Sequence, residues 1–206
     1  MIVVVEGPTA AGKTSWCRRY AGRYVAEHRV TGREPADAVA LARHWVRAGV
    51  QRWSAALELE REEDVAFCDT DPVKLHYAWG MAALGLAPRA QFDRELAVTR
   101  EAFRSGRLGF ADATLVSLPD TATLQRRRDD DQTRRRRNFA AHVQLREPLQ
   151  HWYAALESLS PGRVVWDLPV TGLPALPEAR ADRCAVELLD ALVAALPPLR
   201  LPVTVA

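Results

Sequence analysis

A chain of 206 residues, 48 % of them apolar and carrying a net charge of +2, suffices for one domain, 1–206, with a sizeable core. No apolar run approaches the length of a membrane span, so no membrane partner is expected. The first residues carry no basic leader with an apolar core and cleavage site, so the expected compartment is the cytoplasm.

Cys17, Cys68 and Cys184 are odd in number and far apart, which argues against a disulfide framework or a metal-binding cysteine cluster. Lysine occurs only at Lys13 and Lys74. Such arginine-heavy usage reflects coding bias as much as function, and no nucleic-acid partner is inferred from it.

The chain opens on a β-branched apolar run, Ile2 to Val5, suited to a strand buried on both faces. A first helix is expected from about 13 to 27, and Arg29 to Arg33 is a weak second strand followed by Arg33-Glu34-Pro35. Ala36 to Glu62 reads as a long helix, interruptible at Gly49, with Val39, Leu41, Trp45, Val46, Trp53, Leu57 and Leu59 at helical spacing. Asp64 to Cys68 reads as a third, buried strand running into Asp69-Thr70-Asp71-Pro72, with Pro72 opening the next helical turn, Val73 to Leu84. Arg89 to Ser105 is helical, Ala113 to Leu118 a fourth strand and Thr121 to Arg128 a short helix. Asn138 to Leu159 is a helix with a kink expected at Pro148. Arg163 to Asp167 is a fifth strand, 168–177 a Pro/Gly-rich loop and Glu178 to Leu196 the last helix. Alternating strands and helices predict a parallel sheet covered on both faces, with ligands beyond the carboxyl ends of its strands.

Gly7 to Thr14 fits the phosphate-loop pattern G-x-x-x-x-G-K-[ST]. Gly7 and Gly12 let the backbone turn tightly, and the N–H groups around Ala10, Ala11 and Gly12 form an anion nest at the start of the following helix. Lys13 reaches the β- and γ-phosphates of a bound nucleotide and the Thr14 hydroxyl binds Mg²⁺; Ser15, one position late, is the weaker metal ligand. Asp69, at a strand end beside this loop, can hold Mg²⁺ or take a proton, and Asp71 either caps the next helix or contacts substrate. Arg33 and Glu34 form an acceptor-side pair in which Glu34 could be the general base. His76, Tyr77, Trp79, Trp45 and Trp53 either line an acceptor pocket or pack the core. Seven arginines among residues 126–137 predict a lid, about 126–138, that closes over triphosphate, with Arg128 and Arg134 at its hinges.

These segments occur in an order that resembles the P-loop nucleoside and nucleotide kinase superfamily, over about residues 1–170. Arg33-Glu34-Pro35 is similar to the stretch after strand two in thymidylate and deoxynucleoside kinases, where Arg or Glu contacts the acceptor. Asp69-Thr70-Asp71 is similar to the Asp-Thr-Asp of ribosylnicotinamide kinases; deoxynucleoside kinases carry a Glu-Arg or Asp-Arg pair there, and no Arg follows Asp69. The loop Asp167 to Gly172 matches by position the stretch that packs on adenine. The resemblance implies a three-layer α/β sandwich with a five-stranded parallel sheet in the order 2-3-1-4-5. It implies ATP- and Mg²⁺-dependent transfer of the γ-phosphoryl group to a hydroxyl of a small molecule, a nucleoside or nucleotide first, with Asp69 or Glu34 as base. An antibiotic or secondary-metabolite phosphotransferase and a nucleotide-dependent regulatory switch remain alternatives, and a homodimer is left open. The Arg-rich lid favours transfer, and the absence of an Asn-Lys-x-Asp motif argues against a GTPase.

Overall fold

The computed structural model describes residues 1–131, 139–173 and 179–199. Strand β1 (Ile2–Glu6) is the middle of a five-stranded, all-parallel sheet, and Ile2 to Val5 are completely buried. Its neighbours are β3 (Ala66–Asp69) and β4 (Ala113–Val116), with β2 (Tyr24–Val25) and β5 (Val164–Trp166) at the edges, giving the order β2-β3-β1-β4-β5. This is the order that the family resemblance implies. A strand with helices on both faces has no polar side to offer, which is why β1 reads as an unbroken apolar run.

The alternation of side chains along β1 sorts the core into two layers. Val3 and Val5, with Phe67 and Leu115, face Trp16 and Cys17 of α1 (Lys13–Tyr20). Ile2 and Val4, with Ala66 and Cys68, face the larger cluster. That cluster is built by α2 (Ala38–Glu62), α3 (Leu75–Ala83), α4 (Arg89–Arg104), α7 (Arg146–Leu159) and α8 (Val186–Ala195). Between them lie α5 (Thr121–Asp130) and α6 (Phe139–Gln144). Among the described residues no helix is long and apolar enough to cross a membrane.

Several boundaries differ from expectation. Helix α1 stops at Tyr20, and strand two is Tyr24–Val25, not 29–33. Gly49 does not interrupt α2: it is buried mid-helix, and a Cβ there would lie 2.4 Å from the Pro72 carbonyl oxygen. The glycine lets α2 press against the turn that follows β3. Pro148 kinks nothing. The break falls at Leu145, and Pro148 sits in the first turn of α7, where its missing N–H has no intrahelical partner to lose. The final helix starts at Val186, since 181–184 form turns.

Candidate active site

The parallel register sets the ends of three strands side by side. Val5 of β1 lies opposite Asp69 of β3, and Glu6 opposite Val116 of β4. Beyond Glu6 the chain bends back as the phosphate loop. Ala10 at φ 65° and Gly12 at φ 98° take left-handed conformations, and a Cβ on Gly7 would meet the Ser117 carbonyl oxygen at 2.3 Å. Gly12 then caps α1, so the helix N-terminus and its unpaired N–H groups lie at the loop. The Lys13 ammonium lies over the loop and donates to the carbonyls of Gly7 at 2.7 Å and Pro8 at 3.1 Å. Ser15, one position past Thr14, is exposed.

The Thr14 hydroxyl donates to Asp69 Oδ2 at 2.6 Å, joining the loop to the end of β3. Asp69 Oδ1 is buried and, among the described residues, has no hydrogen-bond partner. Burial pushes this carboxyl above the usual range, against the pull of Thr14 and Lys13. A hydroxyl and a carboxylate oxygen with a free lone pair are hard oxygen donors of the kind Mg²⁺ takes. Among the described residues no group of three or more His, Cys, Asp or Glu could hold a metal, so a cation here would complete its shell from phosphate and water.

Below the loop lies a buried charged group. The N–H groups of Gly7 and Asp71 each donate to Glu6 at 2.8 Å, while Lys74 stands 4.0 Å and His76 3.5 Å from Glu6 Oε2. Burial works against the Glu6 charge, but Lys74, His76 and Lys13 outweigh it and hold the carboxyl down to about 2. Burial pushes the Asp71 carboxyl up to about 7, helped by Glu6 beside it. Its oxygens accept from the Val73 N–H at 2.8 Å and the Tyr153 hydroxyl at 3.1 Å. His76 Nδ1 bonds the Val73 carbonyl at 2.9 Å, and burial pulls its pKa down to about 4. Of the two readings open for each, the structure sides against the substrate: Asp71 accepts from the Val73 N–H at the turn into α3, and His76 is buried, both sealed beneath the loop.

Between the two aspartates Thr70 is held at φ 73°, a conformation a β-branched residue rarely adopts. Arg52 of α2, buried, holds it there. Its guanidinium donates to the carbonyls of Asp69, Thr70 and Asp71, and to Ala26 at the end of β2. An arginine within a long helix reads in sequence as a solvated residue, so this clamp was not anticipated.

Glu27 was missed for a related reason. With strand two at Tyr24–Val25, the carboxylate just beyond it is Glu27, whose Oε1 is 3.5 Å from the Lys74 ammonium. Burial raises its pKa, but Lys74 and Lys13 outweigh that and the net shift is downward. Gly22, two residues past α1, was the signal that could have ended the first helix early and exposed this strand. Glu34, expected with Asp69 as a candidate base, closes its own turn: it accepts from the Thr31 and Gly32 N–H groups, and these hold its carboxyl down to about 2. Arg33 beside it is exposed.

Beside the loop, Leu124 of α5 packs with Ala11 and Phe139. Arg127, three residues on and on the same helix face, donates to the Ala11 carbonyl at 2.8 Å. Arg128 turns to the Phe139 ring, 4.8 Å from its centre, so among the described residues of 126–138 it is Arg127, not Arg128, that reaches the loop. Arg134 lies outside the described residues. Tyr77 pairs with His142 Nε2 at 3.1 Å, tying α3 to α6. Trp53 is core, whereas Trp45 is half-buried beside His28 and His44. The loop after β5 is fastened to α1: Trp16 Nε1 donates to Pro169 at 2.8 Å and the Tyr20 hydroxyl to Val170.

No protein-family model and no curated protein matches the chain. Solved structures do. A deoxyadenosine kinase from M. mycoides with bound dCTP superposes with a TM-score of 0.57 at 12 % identity, covering 83 % of this chain and 93 % of that one. The same enzyme with the products dCMP and a flexible dCDP gives 0.55 at 11 % identity over 95 % and 100 %. With bound dATP it gives 0.53 at 11 % over 83 % and 94 %. The chain therefore has the P-loop nucleoside kinase fold.

Proposed function

We propose that this chain is an ATP- and Mg²⁺-dependent kinase that moves the γ-phosphoryl group of ATP to a hydroxyl of a small molecule, a nucleoside or nucleotide being the first choice. The observation that carries the proposal is the Thr14–Asp69 hydrogen bond, with a buried, unpartnered Asp69 Oδ1 beside a lysine-bearing phosphate loop. Solved structures of the same fold that bind dCTP and dATP support it.

In this reading the loop N–H groups and Lys13 hold the phosphates, and Lys13 leaves the Gly7 and Pro8 carbonyls to do so. Thr14 and Asp69 would hold Mg²⁺, which supplies charge neutralisation on the phosphates when bound. Arg127 lies against the loop and takes part in neutralising the transferred charge. The acceptor hydroxyl gives its proton to Glu27, which Lys74 and Lys13 keep ionised near neutral pH. Asp69 is the poorer base, since Thr14 already occupies one oxygen. The loop after β5, fixed to α1 by Trp16 and Tyr20, receives the adenine.

The test is thermal unfolding with and without MgATP. At about a hundred times its dissociation constant the ligand adds roughly 2.7 kcal/mol, a readable shift. The wild-type chain should show it and Lys13→Ala should lose most of it with its own midpoint unchanged. A Lys13→Ala variant shifted as far as wild type would refute the phosphate-loop assignment.

A further inference from the structure

Between α2, α4 and the turn leading into α3 lies a narrow cleft lined by Trp45, Val46, Leu75 and Leu108, with Lys74 at one wall and Glu95 and Thr99 at another. Lys74 connects it to the candidate site, because the same side chain faces Glu6 and Glu27. Glu95 is 6 % exposed and Thr99 3 %. One turn of α4 separates each of Gln91, Glu95 and Thr99 from the next, so they form one polar stripe on that helix.

Glu95 is anomalous. Its one hydrogen bond among the described residues is from Gln91 Nε2 at 3.1 Å, a neutral donor, and no ion pair reaches it. Burial pushes its carboxyl above the usual range. The Thr99 hydroxyl makes no hydrogen bond among the described residues. Lys74 shares the cleft but pairs with Glu6 and Glu27, and among the described residues no cation pairs with Glu95. A buried carboxyl left unpaired costs stability, and such a cost is retained where the group has a partner to meet. The room in the cleft is about 10 Å³, that of a single water-sized group. It admits one amino group and not a ring.

We propose that Glu95 is a specificity-determining residue that receives a hydrogen-bond-donating nitrogen of the acceptor, an amino group or protonated amine remote from the hydroxyl that is phosphorylated. Thr99 offers a second acceptor oxygen to the same nitrogen, and Trp45 and Lys74, which line the same cleft, stand beside it. The proposal rests on the kinase reading for the identity of the neighbouring site, and it selects among the acceptors that reading leaves open: amine-bearing ones are taken and their deaminated counterparts refused.

The experiment uses pairs that differ at one amino group, adenosine against inosine and cytidine against uridine, with MgADP present. Binding to the wild-type chain and to Glu95→Leu is measured by calorimetry, and each variant's thermal midpoint by unfolding. The amino member of at least one pair should bind wild type ten times or more tighter than its partner. Glu95→Leu should erase that preference while its thermal midpoint stays or rises. Equal binding within every pair, binding of no member, or a preference that survives in Glu95→Leu would overturn the proposal. So would a lowered midpoint in Glu95→Leu, since that would make Glu95 a structural carboxyl or the holder of a bound water. Phosphoryl transfer from labelled ATP to the same compounds is followed in parallel. Transfer without amino preference sinks the specificity claim alone, whereas preference without transfer sinks the kinase reading.

Discussion

At the scale of single residues, the proposed mechanism separates the two carboxylates after the second strand. Glu27 faces Lys74 at 3.5 Å and is held ionised by it, whereas Glu34 is spent on the N–H groups of its own turn. Removing a general base costs about 10²- to 10⁴-fold in rate. Glu27→Gln should lower kcat by that order with little change in KM for ATP, and Glu34→Gln should leave kcat within a few-fold of wild type. Steady-state kinetics of the two variants decide the matter, and the opposite ranking would return the role to Glu34. The sequence displayed the phosphate loop, Thr14 and Asp69 because each is tied to a motif or a strand end. It hid Glu27, Arg52 and Arg127 because their roles depend on where an edge strand ends, what a helix presses against and which way a short helix is turned.

At the scale of elements, close approach decides the fit. Helix α2 reaches the β3–α3 turn only because position 49 has no side chain, and the same approach brings Arg52 to the carbonyls of Asp69, Thr70 and Asp71. Gly49→Ala gains about 1 kcal/mol in helix propensity, but its Cβ must displace backbone at Pro72, and overpacking of this kind costs about 1–3 kcal/mol. The clash is with a carbonyl that cannot rotate away, so the penalty should win. Denaturant unfolding should show Gly49→Ala destabilised, with ATP-dependent activity lost in larger proportion because the Asp69 turn moves too. A stabilised variant would mean the turn yields freely. The long buried strands and amphipathic helices were legible from their periodicity. Strand β2 was not, for two residues, Tyr24–Val25, leave no alternation to read.

For the whole molecule, the buried charges under the loop set how stability follows pH. Asp71 carries a folded pKa near 7 against an ordinary 3.8, so the native state holds a proton the unfolded chain has lost, and stability falls as pH rises through that window. His76 runs the other way. Its folded pKa near 4 lies below 6.5, the unfolded chain binds the extra proton, and stability rises from pH 4 to 6.5. These two contributions oppose each other across pH 4 to 6.5. Asp71→Asn should unmask the rise belonging to His76, read from urea midpoints at intervals across that range. A falling curve in Asp71→Asn would contradict the assignment. The parallel sheet followed from the alternation of strands and helices and its order 2-3-1-4-5 from the family resemblance alone, while the sealed Glu6–His76–Asp71 group could not be foreseen because its partners come from β1, α3 and α7.

The central claim is that this fold transfers phosphate and does not merely bind or hydrolyse nucleotide. Its most direct measurement is the fate of the γ-phosphate of labelled MgATP, with and without a panel of nucleosides and nucleoside monophosphates. The account predicts slow release of inorganic phosphate alone and fast appearance of label on an acceptor once the right one is added, both lost in Asp69→Asn. Steady phosphate release that no acceptor accelerates, with none of the label leaving in covalent form, would contradict it and mark the chain as a nucleotide-hydrolysing switch.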